Sequence, residues 1–258
     1  MDLGISGRMA IIAASSSGLG FACAESLARE GVHVTINGRD EARLAEAADR
    51  LRGAGAAVTA VAGDIALDST RAALLQACPN PDILVNNNGG PPPGRLRDWD
   101  REAWIAALDA NLLAAVLMIR DVMDGMVDRR FGRIVNITSA MVKTPMPPMG
   151  LSSAARTALT SVVKGLSREV AHANVTINNL LPERIDTGRQ QQMAKLTARH
   201  KGITVEQAYE EMAESIAAKR LGRPHEVGDM CAFLCAAQSG YVSGQNIQMD
   251  GGSYAGLM

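Results

Sequence analysis

The residues with the clearest chemical use lie near the start of the chain. An apolar run over residues 9–13 leads into Ala13-Ala14-Ser15-Ser16-Ser17-Gly18-Leu19-Gly20, and a helical pattern follows at once. A helix start offers N–H groups without intrahelical partners and about half a positive charge. A diphosphate is the anion that matches it. Gly18 and Gly20, on either side of Leu19, let the backbone approach a ligand closely because neither has a Cβ. The hydroxyls of Ser15, Ser16 and Ser17 can add donors. The segment departs from G-x-G-x-x-G, and taken alone it also suits a plain helix cap. Its position favours a dinucleotide, because the first βα turn of a doubly wound sheet is where dinucleotides bind.

A second cue lies after the next strand, in Thr35-Ile36-Asn37-Gly38-Arg39-Asp40. A carboxylate that selects NAD(H) would sit near this strand end, and Gly38 stands there instead. The guanidinium of Arg39 can fork onto a 2′-phosphate. Asn37 is a further cofactor-side candidate, and Asp40 reads as a helix cap. The pattern therefore predicts NADP(H) rather than NAD(H).

The elements that would position these residues alternate. Strands are predicted over 9–13, 32–36, 58–62, 83–85, 133–137, 176–181 and 246–249. Helices are predicted over 21–30, 41–52, 99–129, 152–172 and 224–237. This order predicts a parallel α/β sheet with right-handed crossovers, in a single domain spanning 1–258. Two stretches break the rhythm: a Pro/Gly-rich loop over 89–97, and a polar, helix-forming flap over about 188–220. Both follow strand carboxyl ends, where ligands bind in such sheets.

Composition narrows the classes. At 258 residues and 47% hydrophobic, the chain can cover a sheet on both faces, and 3% aromatics makes the core aliphatic. A formal net charge of −1 carries no basic excess for nucleic acid. The four cysteines, Cys23, Cys78, Cys231 and Cys235, form no paired framework or metal spacing and read as buried thiols. No leader and no membrane-length apolar window is expected, so the prediction is a cytoplasmic protein without a metal.

These features resemble the short-chain dehydrogenase/reductase family over nearly the whole chain. Its first turn, T-G-x-x-x-G-x-G, is matched with Ala13 and Ala14 replacing Thr and the first Gly. The resemblance implies Asp64 and Ile65 near adenine, and Asn87, Asn88 and Gly89 along the adenosine ribose. It implies Asn111 and Ser139 in the active site. Pro182 to Thr187 resembles P-G-x-x-x-T, with Glu183 for the Gly, so Pro182, Ile185 and Thr187 would border the nicotinamide. Gly244-Gln245 and Asp250-Gly251-Gly252 resemble the family's C-terminal signature. The resemblance also implies a small-molecule substrate and a homo-oligomer, a tetramer or dimer; 3-oxoacyl-carrier-protein reductases are similar members.

The likeness breaks at the family's working motif, Tyr-x-x-x-Lys, about 13 residues after the Ser. The aligned segment is Ser152-Ser153-Ala154-Ala155-Arg156, so Ser replaces Tyr and Arg replaces Lys. An aliphatic hydroxyl is far less acidic than a phenol, and Arg stays protonated. Arg156 could still fork onto the nicotinamide ribose and stabilise an oxyanion. Ser139 with Ser152, Lys143, or Tyr209 in the flap are the substitute proton sources the sequence offers. The expected function is a carbonyl/alcohol oxidoreductase with an altered proton donor. The other reading is a nucleotide-binding homologue that has left hydride chemistry.

Overall fold

Seven short strands pair side by side, all parallel, in the order β3-β2-β1-β4-β5-β6-β7. They are β1 (Met9–Ile12), β2 (His33–Gly38), β3 (Val58–Ala62), β4 (Ile83–Asn86), β5 (Gly132–Ile137), β6 (Val175–Pro182) and β7 (Asn246–Met249). The computed structural model describes residues 1–257. Parallel strands need crossovers, and nine α-helices among the described residues supply them or extend them. The result is a single-domain Rossmann-type α/β fold.

One face is covered by α1 (Gly18–Arg29), α2 (Glu41–Gly53) and α9 (Pro224–Cys235), around Leu27, Leu51, Val227 and Leu234. The other is covered by α3 (Asp68–Ala77), α5 (Ala114–Asp128) and α6 (Gly150–Val170), around Leu74, Met118, Ile119, Leu159 and Val163. Strands covered on both faces are mostly apolar, and β4 and β5 are buried along their whole length, with Asn86, Arg133 and Asn136 their polar members. All four cysteines are free and buried.

The helix expected over 99–129 is two helices, α4 (Arg101–Leu108) and α5, joined by a π-helical turn at Asp109–Leu113. Helix α3 was not foreseen, because its apolar positions are few and Arg71, buried against the carbonyls of Ile65 and Ala66, fills an inner place. Contrary to the expectation of no membrane-length window, the helical run Arg101–Asp128 contains an 18-residue window of mean hydropathy 1.6, long and apolar enough to cross a membrane. Its inner residues Met118, Ile119, Val122 and Met126 pack in the core cluster beside the sheet. The flap is a helix pair, α7 (Gly188–Lys201) and α8 (Val205–Glu214), closed on Ala194, Ala198 and Ala208.

Buried polar groups fix the register. Asn86 donates to Asn136 Oδ1 at 2.9 Å, Asn136 to Asn179 Oδ1 at 3.1 Å, and Asn179 to Asn246 Oδ1 at 2.8 Å. This amide ladder ties β4, β5, β6 and β7 together, and a one-residue slip would strand its members without partners.

Helix α1, which carries the glycine-rich turn, is seated on α9 at Gly228. A Cβ at Gly228 would run into the carbonyl oxygen of Ala22 and meet Ser26 Oγ at 2.6 Å. The nearest of these, the Ala22 carbonyl, is helix backbone and cannot step aside. Gly228→Ala is therefore expected to cost at least about 1–3 kcal/mol through overpacking. A lowered urea midpoint checks this; an unchanged midpoint would mean the helices part freely.

Candidate active site

The strand order reverses between β1 and β4, so the carboxyl ends of these two strands open a crevice. The turn after β1 lines it. Its backbone is held from below: Ser15 Oγ donates to Ile12 O at 2.7 Å and accepts from Asn37 N at 3.0 Å. Asn37 spends its whole amide inside the protein, donating to Val61 O and Gly63 O and accepting from Ala14 N at 3.2 Å. Asn87 donates to Ala14 O at 3.0 Å. Ser15, Asn37 and Asn87 thus shape the turn.

At the head of α1, Ser17 is the N-cap residue but makes no side-chain cap. Gly18 has φ +60, and a Cβ there would find only Thr187 Cγ2, at 4.0 Å. Gly20 is closed instead: a Cβ would meet Ala14 O at 2.5 Å and Asn87 Nδ2 at 2.8 Å. The opening of α1 therefore keeps an uncapped, open helix end with Leu19 half-buried beside it, which is a fit for a diphosphate. Ala14 occupies the family's glycine position at φ +44, in the left-handed region.

At the end of β2, a Cβ on Gly38 would meet Ser16 Oγ at 2.8 Å, so no carboxylate side chain has room there. Arg39 is 76% exposed and reaches Asp64, 3.6 Å away. Asp40 accepts from Arg43 N at 3.0 Å and caps α2, as its sequence position suggested. Ile65 is buried with Ala13 against a small cavity.

The carboxyl ends of β4, β5 and α6 meet at Arg156. Its Nη1 donates to Ile137 O at 2.8 Å and Thr138 O at 3.1 Å, its Nη2 to Asn88 O at 3.1 Å, and its Nε to Ser152 Oγ at 3.2 Å. Four of its five N–H groups are thereby committed within the protein. It forms no ion pair with an acid among the described residues. Burial, with Arg189 adding repulsion, lowers its pKa to about 10, so it stays charged at neutral pH. Ser152 is buried. Asn111 sits in the π-helical turn, and its Oδ1 has no hydrogen-bond partner among the described residues. Asn88, Asn111 and Arg156 line one cavity of about 20 Å³.

The other expected residues are placed as follows. Ser139 lies two residues beyond β5, half-buried, and its Oγ accepts from Met141 N at 3.2 Å. Gly89 is exposed with open space around it. Pro182 closes β6 against Met249. Ile185 is buried in the core, and Thr187 caps α7, accepting from Gln190 N at 3.4 Å. Lys143 lies over the Tyr254 ring at 5.3 Å. Tyr209 donates to Asp186 Oδ1 at 3.3 Å, and burial and Asp186 push its pKa up. Sequence reading did not foresee Arg189, which reaches from α7 to Pro91 O at 2.9 Å and pins the flap to the proline loop.

Comparison with known proteins agrees with this geometry. Residues 13–254 match the family model described as enoyl-(acyl carrier protein) reductase. The chain is 31% identical to dehydrogenase/reductase SDR family member 4 of Bos taurus, covering 97% of this chain and 88% of that one. It is also 31% identical to an uncharacterized oxidoreductase of Bacillus subtilis, YvaG, covering 98% of each. Among solved structures, L-sorbose reductase from Gluconobacter frateurii, complexed with NADPH and L-sorbose, superposes with a TM-score of 0.94 at 31% identity, over 100% of each chain. The chain belongs to the short-chain dehydrogenase/reductase family.

The left-handed backbone at Ala14 is costly for a residue with a Cβ. Ala14→Gly is expected to raise stability by about 0.5–1 kcal/mol, offset in part by glycine's greater freedom when unfolded. The check is a higher urea midpoint at constant slope; a lower midpoint would show that the methyl packs usefully.

Proposed function

We propose that this protein is an NADP(H)-dependent oxidoreductase that interconverts a carbonyl and an alcohol on a small molecule, without the Tyr/Lys pair of its relatives. The observation that carries the cofactor assignment is the β2 end. Ser16 fills the room an NAD-selecting side chain would need, and exposed Arg39 is available for a 2′-phosphate. The NADPH held by the sorbose reductase supports the same assignment.

In this reading the head of α1, at Gly18 and Leu19, binds the diphosphate, and Arg39 binds the 2′-phosphate after leaving Asp64. Asp64 and Ile65 border adenine, Asn88 and Gly89 border the adenosine ribose, and Pro182, Ile185 and Thr187 border the nicotinamide. The bound dinucleotide supplies the hydride. Ser139 orients the substrate oxygen, and the charge of Arg156 stabilises the oxyanion through the low-dielectric interior. Arg156 acts on the site chiefly as a fixed charge, since its N–H groups are largely spent. The exposed apolar side chains Ile105, Leu113 and Val162 support a homo-oligomer that covers them.

A second reading is a nucleotide-binding protein without hydride chemistry. It draws on the Ser152–Arg156 bond, which ties up both residues that stand in for Tyr and Lys.

Titration of nicotinamide fluorescence tests the assignment. Arg39→Ala is expected to weaken NADPH binding about 10- to 100-fold, the worth of a charge-assisted contact, with NADH binding unchanged. NADPH oxidation by the wild type with an activated carbonyl such as 2,3-butanedione supports the reductase. Tight NADPH binding with no turnover across carbonyls and alcohols favours the second reading.

A further inference from the structure

The reaction proposed above leaves the substrate class open, and the charges beside the crevice narrow it. Two guanidinium groups lie there, and neither has an ion-paired acid among the described residues. One is Arg156, buried at the sheet edge. The other is Arg189, the second residue of α7.

The loop after β4 brings the two together. Gly90 lies against the Ser152–Arg156 pair: a Cβ there would stand 3.6 Å from Ser152 Oγ and 3.7 Å from Arg156 Nη2. The next residue, Pro91, accepts from Arg189 Nη2 at 2.9 Å. Only Gly90 and Pro91 thus stand between the bonds of one arginine and those of the other. Their charges repel across this gap.

The flap crosses the crevice on its way to this contact. Thr187, two residues before Arg189, is the side chain nearest to the Cβ position of Gly18 at the head of α1, at 4.0 Å. From there the first turn of α7 runs to the proline loop. Arg189 is therefore held on the wall where Ser152 and Arg156 lie.

Arg189 is also underused. Its bond to Pro91 takes one of five N–H groups, and the side chain is exposed. The acid nearest in sequence, Asp186, is engaged by Tyr209. The remaining N–H groups form a planar fork that matches the two oxygens of a carboxylate. The bond to Pro91 restrains the side chain beforehand, so less rotamer freedom is lost when an anion binds.

We infer that Arg189 binds a carboxylate of the substrate, so that the enzyme acts on oxo acids and the matching hydroxy acids. This rests on the reductase reading given above. Arg156 supplies fixed charge from inside the protein, and Arg189 holds the far end of the substrate from the flap. A carboxylate bound there, with Nη2 still on Pro91, would tie the flap to the proline loop and favour closure over the site. The cofactor diphosphate is the other anion near the start of α7, and the experiment separates the two.

The test uses the full chain with NADPH and three substrate pairs, each an oxo acid and the diketone that carries a methyl in place of the charged oxygen. The pairs are pyruvate with 2,3-butanedione, acetoacetate with 2,4-pentanedione, and levulinate with 2,5-hexanedione. The readout is kcat/KM for the acid divided by kcat/KM for its diketone, so a general loss of folding or of hydride transfer cancels. Arg189→Gln is expected to lower this ratio about 10- to 100-fold in at least one pair, through a higher KM for the acid. Arg189→Lys, which keeps the charge and loses the fork, is expected to fall between the two. Added salt should lower the wild-type ratio and hardly move that of Arg189→Gln. NADPH affinity in Arg189→Gln should stay within about threefold of the wild type. The inference is overturned if the ratio in Arg189→Gln stays within about threefold of the wild type in every pair. It is equally overturned if NADPH affinity falls about 10-fold or more, which would assign Arg189 to the diphosphate. A wild type that binds NADPH but reduces neither acids nor diketones overturns the reductase reading and this inference with it. A wild type that reduces them with ratios indifferent to Arg189 overturns the inference alone.

Discussion

The guanidinium of Arg156 lies inside the carboxyl edge of the sheet and donates to three backbone carbonyls and one hydroxyl, on β5, on the β4 loop and on its own helix. Those carbonyls lie where strands end, so the sheet offers them no partner. A planar fork of five donors can satisfy several at once, which the ammonium of a lysine cannot do in the same geometry. The β4 loop, the carboxyl end of β5 at Ile137 and Thr138, and the start of α6 are thereby held in one arrangement. Arg156, at the position that the family resemblance aligns with a lysine, is bonded as a strut.

This exchange has consequences for chemistry. A buried positive charge with no ion-paired acid among the described residues favours negative charge in the site, whether on a substrate group or on the oxygen that develops it. Because the strut uses Ser152 as an acceptor, the hydroxyl that aligns with tyrosine is occupied as well. The phosphate end of the crevice has changed less. There Ala14 takes a glycine's conformation, held by Asn37 and Asn87, and the open head of α1 survives the substitution.

Much of this was legible in the sequence. Short apolar runs located all seven strands, the inner ones because burial on both faces favours apolar residues and the half-exposed edge strands β3 and β7 by their Val, Ile and Met. The capping role of Asp40 was local, so its type and spacing sufficed. What depended on contacts between distant elements was hidden. Asn37 looked like a cofactor ligand, yet its amide is spent on β3 and the phosphate turn. Helix α3 escaped notice because a buried arginine interrupts its apolar stripe. Arg156 was read by its charge, and its carbonyl partners come from segments 18 to 68 residues away.

The strut is tested most directly by Arg156→Lys, with thermal unfolding and NADPH titration measured on the same preparation. The account predicts a loss of about 1–3 kcal/mol of stability, because carbonyls are left without donors, with NADPH affinity changed by less than about threefold. Unchanged stability with NADPH binding lost would contradict it, and would make Arg156 a cofactor ligand instead.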